Sequence, residues 1–153
     1  MSTDTTSTAN RELRVSRLLN APIELVWEVF TKPEHIAQWW GPNGFTNTIH
    51  RMDVEPGGHW EFIMHGPDGT DFKNHNVFLE VVKHERIVFD HVSTPKFRHT
   101  MLFRAEGNQT HLEWFGVFET AEQLQQVIKV FKADEGMKQN AEKLEMYLKT
   151  MHD

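Results

Sequence analysis

Cysteine is absent from the 153 residues, which removes disulfides, thiol catalysis and zinc–thiolate sites together. Serine occurs only at Ser2, Ser7, Ser16 and Ser93. None lies in a GxSxG elbow or has a recognisable base beside it in sequence, so a serine nucleophile has no visible support. No apolar run approaches the roughly 20 residues of a membrane helix. The opening MSTDTTSTAN is polar and lacks the apolar stretch of a signal peptide. Clustered cations are missing too. Lys and Arg number 16 against 22 Asp and Glu, for a formal net charge of -6, which argues against binding nucleic acid phosphates. Nucleic acid and membrane insertion are therefore not expected, and a cytoplasmic location is the default.

Aromatic residues are plentiful: Phe 11, Trp 5 and Tyr 1, side chains that build cores and line cavities alike. The length suits one domain with a sizeable core. Residues 1–10 read as a flexible tail and 11–153 as a single domain. Leu13, Val15 and Arg17 alternate with Arg14 and Ser16 in a first strand. The period then changes, with Ile23, Val26, Trp27 and Phe30 on one helical face and Pro22 at its start. Pro33 opens a second short helix, PEHIAQWW, which Gly41-Pro42 ends. From about Phe45 to Phe118 the period is two, broken at EPGG, GPDG, KHER, STPK and EGNQ. That pattern predicts six more strands in an antiparallel meander. Leu124, Val127, Ile128 and Phe131 mark a short helix. Met137, Ala141, Leu144, Leu148 and Met151 form the apolar stripe of a longer terminal one.

Turn geometry assigns faces. A two-residue loop at Gly107-Asn108 sets Met101 opposite Trp114 and Phe103 opposite Leu112. A five-residue loop PDGTD sets Met64 opposite Asn74, Phe62 opposite Asn76 and Trp60 opposite Phe78. His59, Glu61, His65 and His75 then share the other, wet face. In the KHER hairpin, Val82 opposite Ile87 turns Phe78, Glu80, Phe89 and His91 to one side. A one-residue slip would invert any of these assignments. If the shared side is the aromatic one, Glu80 and His91 point inward with Asn74 and Asn76. They then either anchor a ligand in an apolar pocket or meet backbone and water at the sheet's end. Glu80, its pKa raised by burial, is the residue a catalytic alternative would use. Of Trp39 and Trp40, which end a short helix, one is expected to rim an opening.

Ten histidines raise the question of a metal. His59 and His65 share a strand face, with His75 as a neighbour. Six residues of extended chain separate the pair by roughly 20 Å, too far for one ion. HExxH and HxH are both missing, so no metal and no other cofactor is expected. GPDG lies between strands and is a turn rather than a phosphate loop.

APIELVWEVFTKPEHIAQWWGP, DVEPGGHWEFIMHGPDG, FLEVVKHERIVF and THLEWFGVFE, in this order, resemble the bacterial single-domain proteins named after the activator of a heat-shock chaperone's ATPase. These belong to the START-like superfamily, with polyketide cyclases and the birch-pollen allergen type. The resemblance covers about residues 11 to 152. It implies an α+β helix-grip fold: a curved antiparallel sheet of about seven strands around a long C-terminal helix, with two short helices after the first strand. It also implies a cavity between sheet and helix for apolar or amphipathic molecules, but no reaction, since the family has no shared catalytic set and a fold does not fix a function. The additional N-terminal domain of the eukaryotic activator has no counterpart in these 153 residues.

The expected function is thus binding or transport of a small hydrophobic molecule. Its cavity would take Trp40, the strand residues just named on the aromatic face, and Leu144 and Leu148 from the helix. One alternative is a stress-related, co-chaperone-like interaction module. An exposed apolar patch around Leu79, Leu102 and Phe115 would favour it, or a homodimer. The other is a cyclase or hydrolase using Glu80 or His91.

Overall fold

The computed structural model describes residues 9–93 and 96–151. The expected tail therefore lies outside the described residues up to residue 8, and Ala9–Arg11 make one 3-10 turn. The strands are β1 (Glu12–Leu19), β2 (Thr46–Met52), β3 (His59–His65), β4 (Asp71–Val82), β5 (Arg86–His91), β6 (Phe97–Glu106) and β7 (Gln109–Phe118). Helices α1 (Ile23–Thr31) and α2 (Pro33–Trp39) follow β1, and α3 (Ala121–Phe131) and α4 (Ala133–Met151) follow β7. All seven strands join one curved antiparallel sheet in the order β1-β7-β6-β5-β4-β3-β2. Consecutive strands from β2 to β7 are neighbours, and β1 closes on the far side of β7.

Alternation along the strands makes two faces. In β7, Thr110, Leu112, Trp114, Gly116 and Phe118 are buried while the residues between them are half-exposed. The inner face packs on α1, α2 and α4 in a single core. Val15, Trp60, Phe62, Phe89, Met101 and Trp114 join Phe30 and Trp39 there, with Ala141, Leu144 and Leu148 from α4. The predicted helical stripe is therefore the surface the sheet grips, although Met151 at its end remains exposed. A smaller cluster of Phe118, Leu124 and Val127 seats α3 at the sheet's end, with Phe131 exposed.

Register bears out one hairpin and corrects two. Met101 pairs with Trp114 and Phe103 with Leu112, as the Gly107-Asn108 loop requires. In the β3–β4 hairpin His65 pairs with Asp71, so the loop is residues 66–70. Trp60 opposes Asn76, Phe62 opposes Asn74 and Met64 opposes Phe72. That is a slip of two from the predicted pairs. A slip of two preserves the faces, because side chains alternate with period two.

In the β4–β5 hairpin the expectation fails for Glu80. Phe78 pairs with Phe89 and Glu80 with Val88, with a bulge between Phe78 and Glu80. Leu79 is the extra residue, which turns Glu80 to the outer face. There it is exposed and bound to Arg86 at 2.7 Å. The bulge sits where Phe78 also bonds the glycine pair before β3: its carbonyl accepts from the Gly57 amide at 2.8 Å, and its amide donates to the Gly58 carbonyl at 2.9 Å. A bulge of one residue inverts every side chain beyond it.

Candidate functional site

The inner face is an aromatic enclosure. Trp40 stacks on Trp114 with centroids 5.4 Å apart, and lies 5.1 Å from Trp60. Trp60 stacks on Phe62 at 4.6 Å and meets Phe89 edge-on at 5.5 Å. Both Trp39 and Trp40 are buried, which corrects the expectation that one rims an opening. The two can both be internal because Trp40 leaves the helix with extended backbone. Trp39 is held by its indole N–H on the Val29 carbonyl at 3.1 Å.

Two side chains on α4 hold the segment that carries Trp40. The Asn140 amide donates to the Trp39 carbonyl at 2.7 Å and accepts from the Gly41 N–H at 3.0 Å. Lys143 Nζ donates to the carbonyls of Pro42 and Phe45 at 3.2 and 3.3 Å, and burial lowers its pKa. Gly41 has φ +100, and a side chain there would meet Met64 and Phe45, so only glycine suits that turn. Neither Asn140 nor Lys143 stands out in the sequence. They lie beside an apolar stripe, where polar residues ordinarily face water.

Polar groups reach this enclosure at several points. The Trp114 indole N–H donates to His99 Nδ1 at 2.7 Å, so neutral His99 carries its proton on Nε2. Rings of Trp40, Phe89, Phe97 and Trp114 surround that imidazole. Burial, with the neighbouring His91, pushes its pKa down to about 3. His91 is buried, stacked on Phe97 at 4.6 Å, and its Nε2 lies 2.7 Å from Asn74 Oδ1. Trp60 Nε1, Asn76 Oδ1 and Asn47 Oδ1 are buried without a hydrogen-bond partner among the described residues. Trp60 and Asn76 are direct cross-strand neighbours.

Fifteen of the expected site residues therefore share the inner face, Trp40 to Leu148, and Glu80 does not. His99 and Asn47 belong with them and were not singled out. The strand alternation through Phe97, Met101 and Phe103 is the sequence signal that places His99 inward. On the outer face, two broad depressions of about 680 and 740 Å3 lie over the strands. Leu18, Leu102, Arg104 and Glu113 line the first, Arg98, Thr100, Phe115 and Val117 the second, and neither includes a residue of α4. The histidines expected on the wet face also divide. His65 sits between Thr48 and Asp71, at 2.7 Å from each, while His59 Nδ1 lies 2.7 Å from His75 Nε2.

No curated protein matches the chain significantly. A Nitrosomonas europaea protein of solved structure is 26% identical, with a TM-score of 0.83 over 94% of this chain and 97% of its own. An Arthrobacter aurescens protein is 21% identical, with a TM-score of 0.87 over 94% and 89% of the two chains. For one from Mycobacterium smegmatis the figures are 21%, 0.82, 95% and 96%. These likenesses agree with a START-like helix-grip fold. Residues 20–149 match the family model described as Activator of Hsp90 ATPase homolog 1-like protein, and the chain belongs to that family.

Proposed function

We propose that this protein binds a small hydrophobic or amphipathic molecule on the aromatic inner face, with its polar end held at Trp60 and Asn76. The N–H of Trp60 and the carbonyl of its cross-strand neighbour Asn76, both buried without a partner among the described residues, are the observation that supports this most directly. A buried polar group without a partner costs about 1–3 kcal/mol. A guest hydroxyl would satisfy both groups, accepting from one and donating to the other. The rings around them supply the apolar remainder of such a site. Because these rings already touch, entry requires Trp40 or α4 to move aside.

The test uses a fluorescent fatty-acid or aromatic probe, read by tryptophan emission. Phe62→Ala should change probe affinity more than tenfold, about 1.4 kcal/mol, in a protein that stays folded. Phe115→Ala, on the outer face under Arg14, should leave it alone. A long-chain alcohol should also bind more tightly than the matching alkane, and Asn76→Leu should erase that difference. If a hydrophobic library gives no shift in Tm and Phe62→Ala no change, ligand binding on the inner face is ruled out.

A co-chaperone-like interaction is the second reading, supported by the family's description and by exposed Leu18, Leu79 and Leu102 on the outer face. A second copy of the chain is the other partner that such a face suits. The catalytic alternative has lost Glu80 to the outer face and retains only His91, which is already engaged with Asn74.

A further inference from the structure

The distance that excludes His59 and His65 as a metal pair does not apply across strands. His59 and Glu61 are two residues apart on β3 and point to the same outer face. His75 on β4 pairs directly with Glu61. One nitrogen of each histidine and one carboxylate oxygen of Glu61 lie within 4.8 Å of one another. From this juxtaposition we propose that His59, Glu61 and His75 form a binding site for one divalent transition-metal ion of the zinc–copper group.

The imidazoles already converge. His59 Nδ1 and His75 Nε2 are 2.7 Å apart, with ring centroids at 5.0 Å. Contact that short requires one shared proton. Metal–nitrogen bonds of about 2.0–2.1 Å at a tetrahedral ion place the two nitrogens roughly 3.3 Å apart. Replacing the proton by an ion therefore asks the rings to separate by about half an ångström, which side-chain rotation supplies. The backbone need not move, since β4 is hydrogen-bonded to a strand on each side. Ligands on adjacent paired strands are held in place before the ion arrives.

The donor set selects the ion. Two imidazole nitrogens and one carboxylate suit zinc, nickel and copper, whereas magnesium and calcium want oxygen throughout. Copper should bind tightest in the divalent series. Three protein ligands leave a position for water, and the half-buried setting keeps it accessible. Among the described residues Arg51 is a cation that competes for Glu61, but its contact there is 3.8 Å, against 2.6 Å to Asp53. Glu61 can turn from that loose contact to an ion at little cost.

Chelator-treated protein titrated with zinc and with copper by calorimetry tests the site, with cobalt absorption as a second readout. One ion per chain is expected, with tighter binding of copper, a visible cobalt spectrum and no heat from magnesium or calcium. His75→Ala and Glu61→Gln should each weaken zinc binding at least tenfold and diminish the cobalt bands. His65→Ala, on the same strand face but bonded elsewhere, should change neither. His59→Gln provides an independent variant should His75→Ala fail to fold. Unaltered zinc affinity in Glu61→Gln and in a folded histidine variant, absence of stoichiometric binding, or equal weakening by His65→Ala would each overturn the assignment.

Discussion

His99 shows how one inward residue can make stability depend on pH. An ordinary histidine protonates near pH 6.5, whereas His99 among its four rings stays neutral down to about pH 3. Between those values the unfolded chain holds one more proton than the folded one. Its contribution is present in full above pH 6.5 and is lost as pH falls toward 3, by up to about 1.4 kcal/mol per pH unit. Urea unfolding between pH 7 and 4 should show that slope, and His99→Gln should flatten it by one proton's worth. The His99 ring resonances should not titrate above pH 4; a midpoint near 6.5 would show that the imidazole is hydrated. The same ring accepts from Trp114, so its neutral form also orients that indole.

At the scale of the element, α4 acts as both cover and clamp. Leu144 is 0% exposed against the sheet, and Leu144→Ala should cost about 2–5 kcal/mol, as buried leucine truncations do. A urea midpoint that hardly moved would mean the helix does not grip. Asn140 tests the clamp separately. Its removal strands the Trp39 carbonyl and the Gly41 amide, at about 1–3 kcal/mol for each group left unpaired. Asn140→Ala should also shift tryptophan emission to the red, since Trp40 is anchored through that segment. A destabilised variant with unchanged emission would show that Trp40 is held by ring packing alone.

For the whole molecule, the two functional readings use opposite faces of one sheet. The inner face is capped by helices. The outer face carries ion pairs, Arg86 with Glu80, Arg98 with Asp90 and Arg14 with Glu113, between its exposed leucines. Native mass spectrometry of freshly purified protein separates them. A co-purifying small molecule, with a mass increment lost in Phe62→Ala, is the outcome expected from the inner-face proposal. A dimer or a protein adduct without such an increment would instead favour the outer face. Among the described residues no helix is long and apolar enough to cross a membrane.

Seven strands, four helices and the aromatic face were all legible along the chain, because periods of two and 3.6 are local properties of consecutive residues. The Gly107-Asn108 turn likewise determined the β6–β7 register, since a two-residue loop leaves little freedom. Tertiary structure decided what depends on counting across strands or between elements. The bulge at Leu79 sends Glu80 outward, and it belongs to the pairing of β4 with β5, which the period along β4 alone does not reveal. Asn140 is buried because the Trp39–Gly41 backbone needs a donor and an acceptor at that point. His75 reaches His59 and Glu61 because strand pairing brings within a few ångströms residues that the chain itself keeps 14 to 16 positions apart.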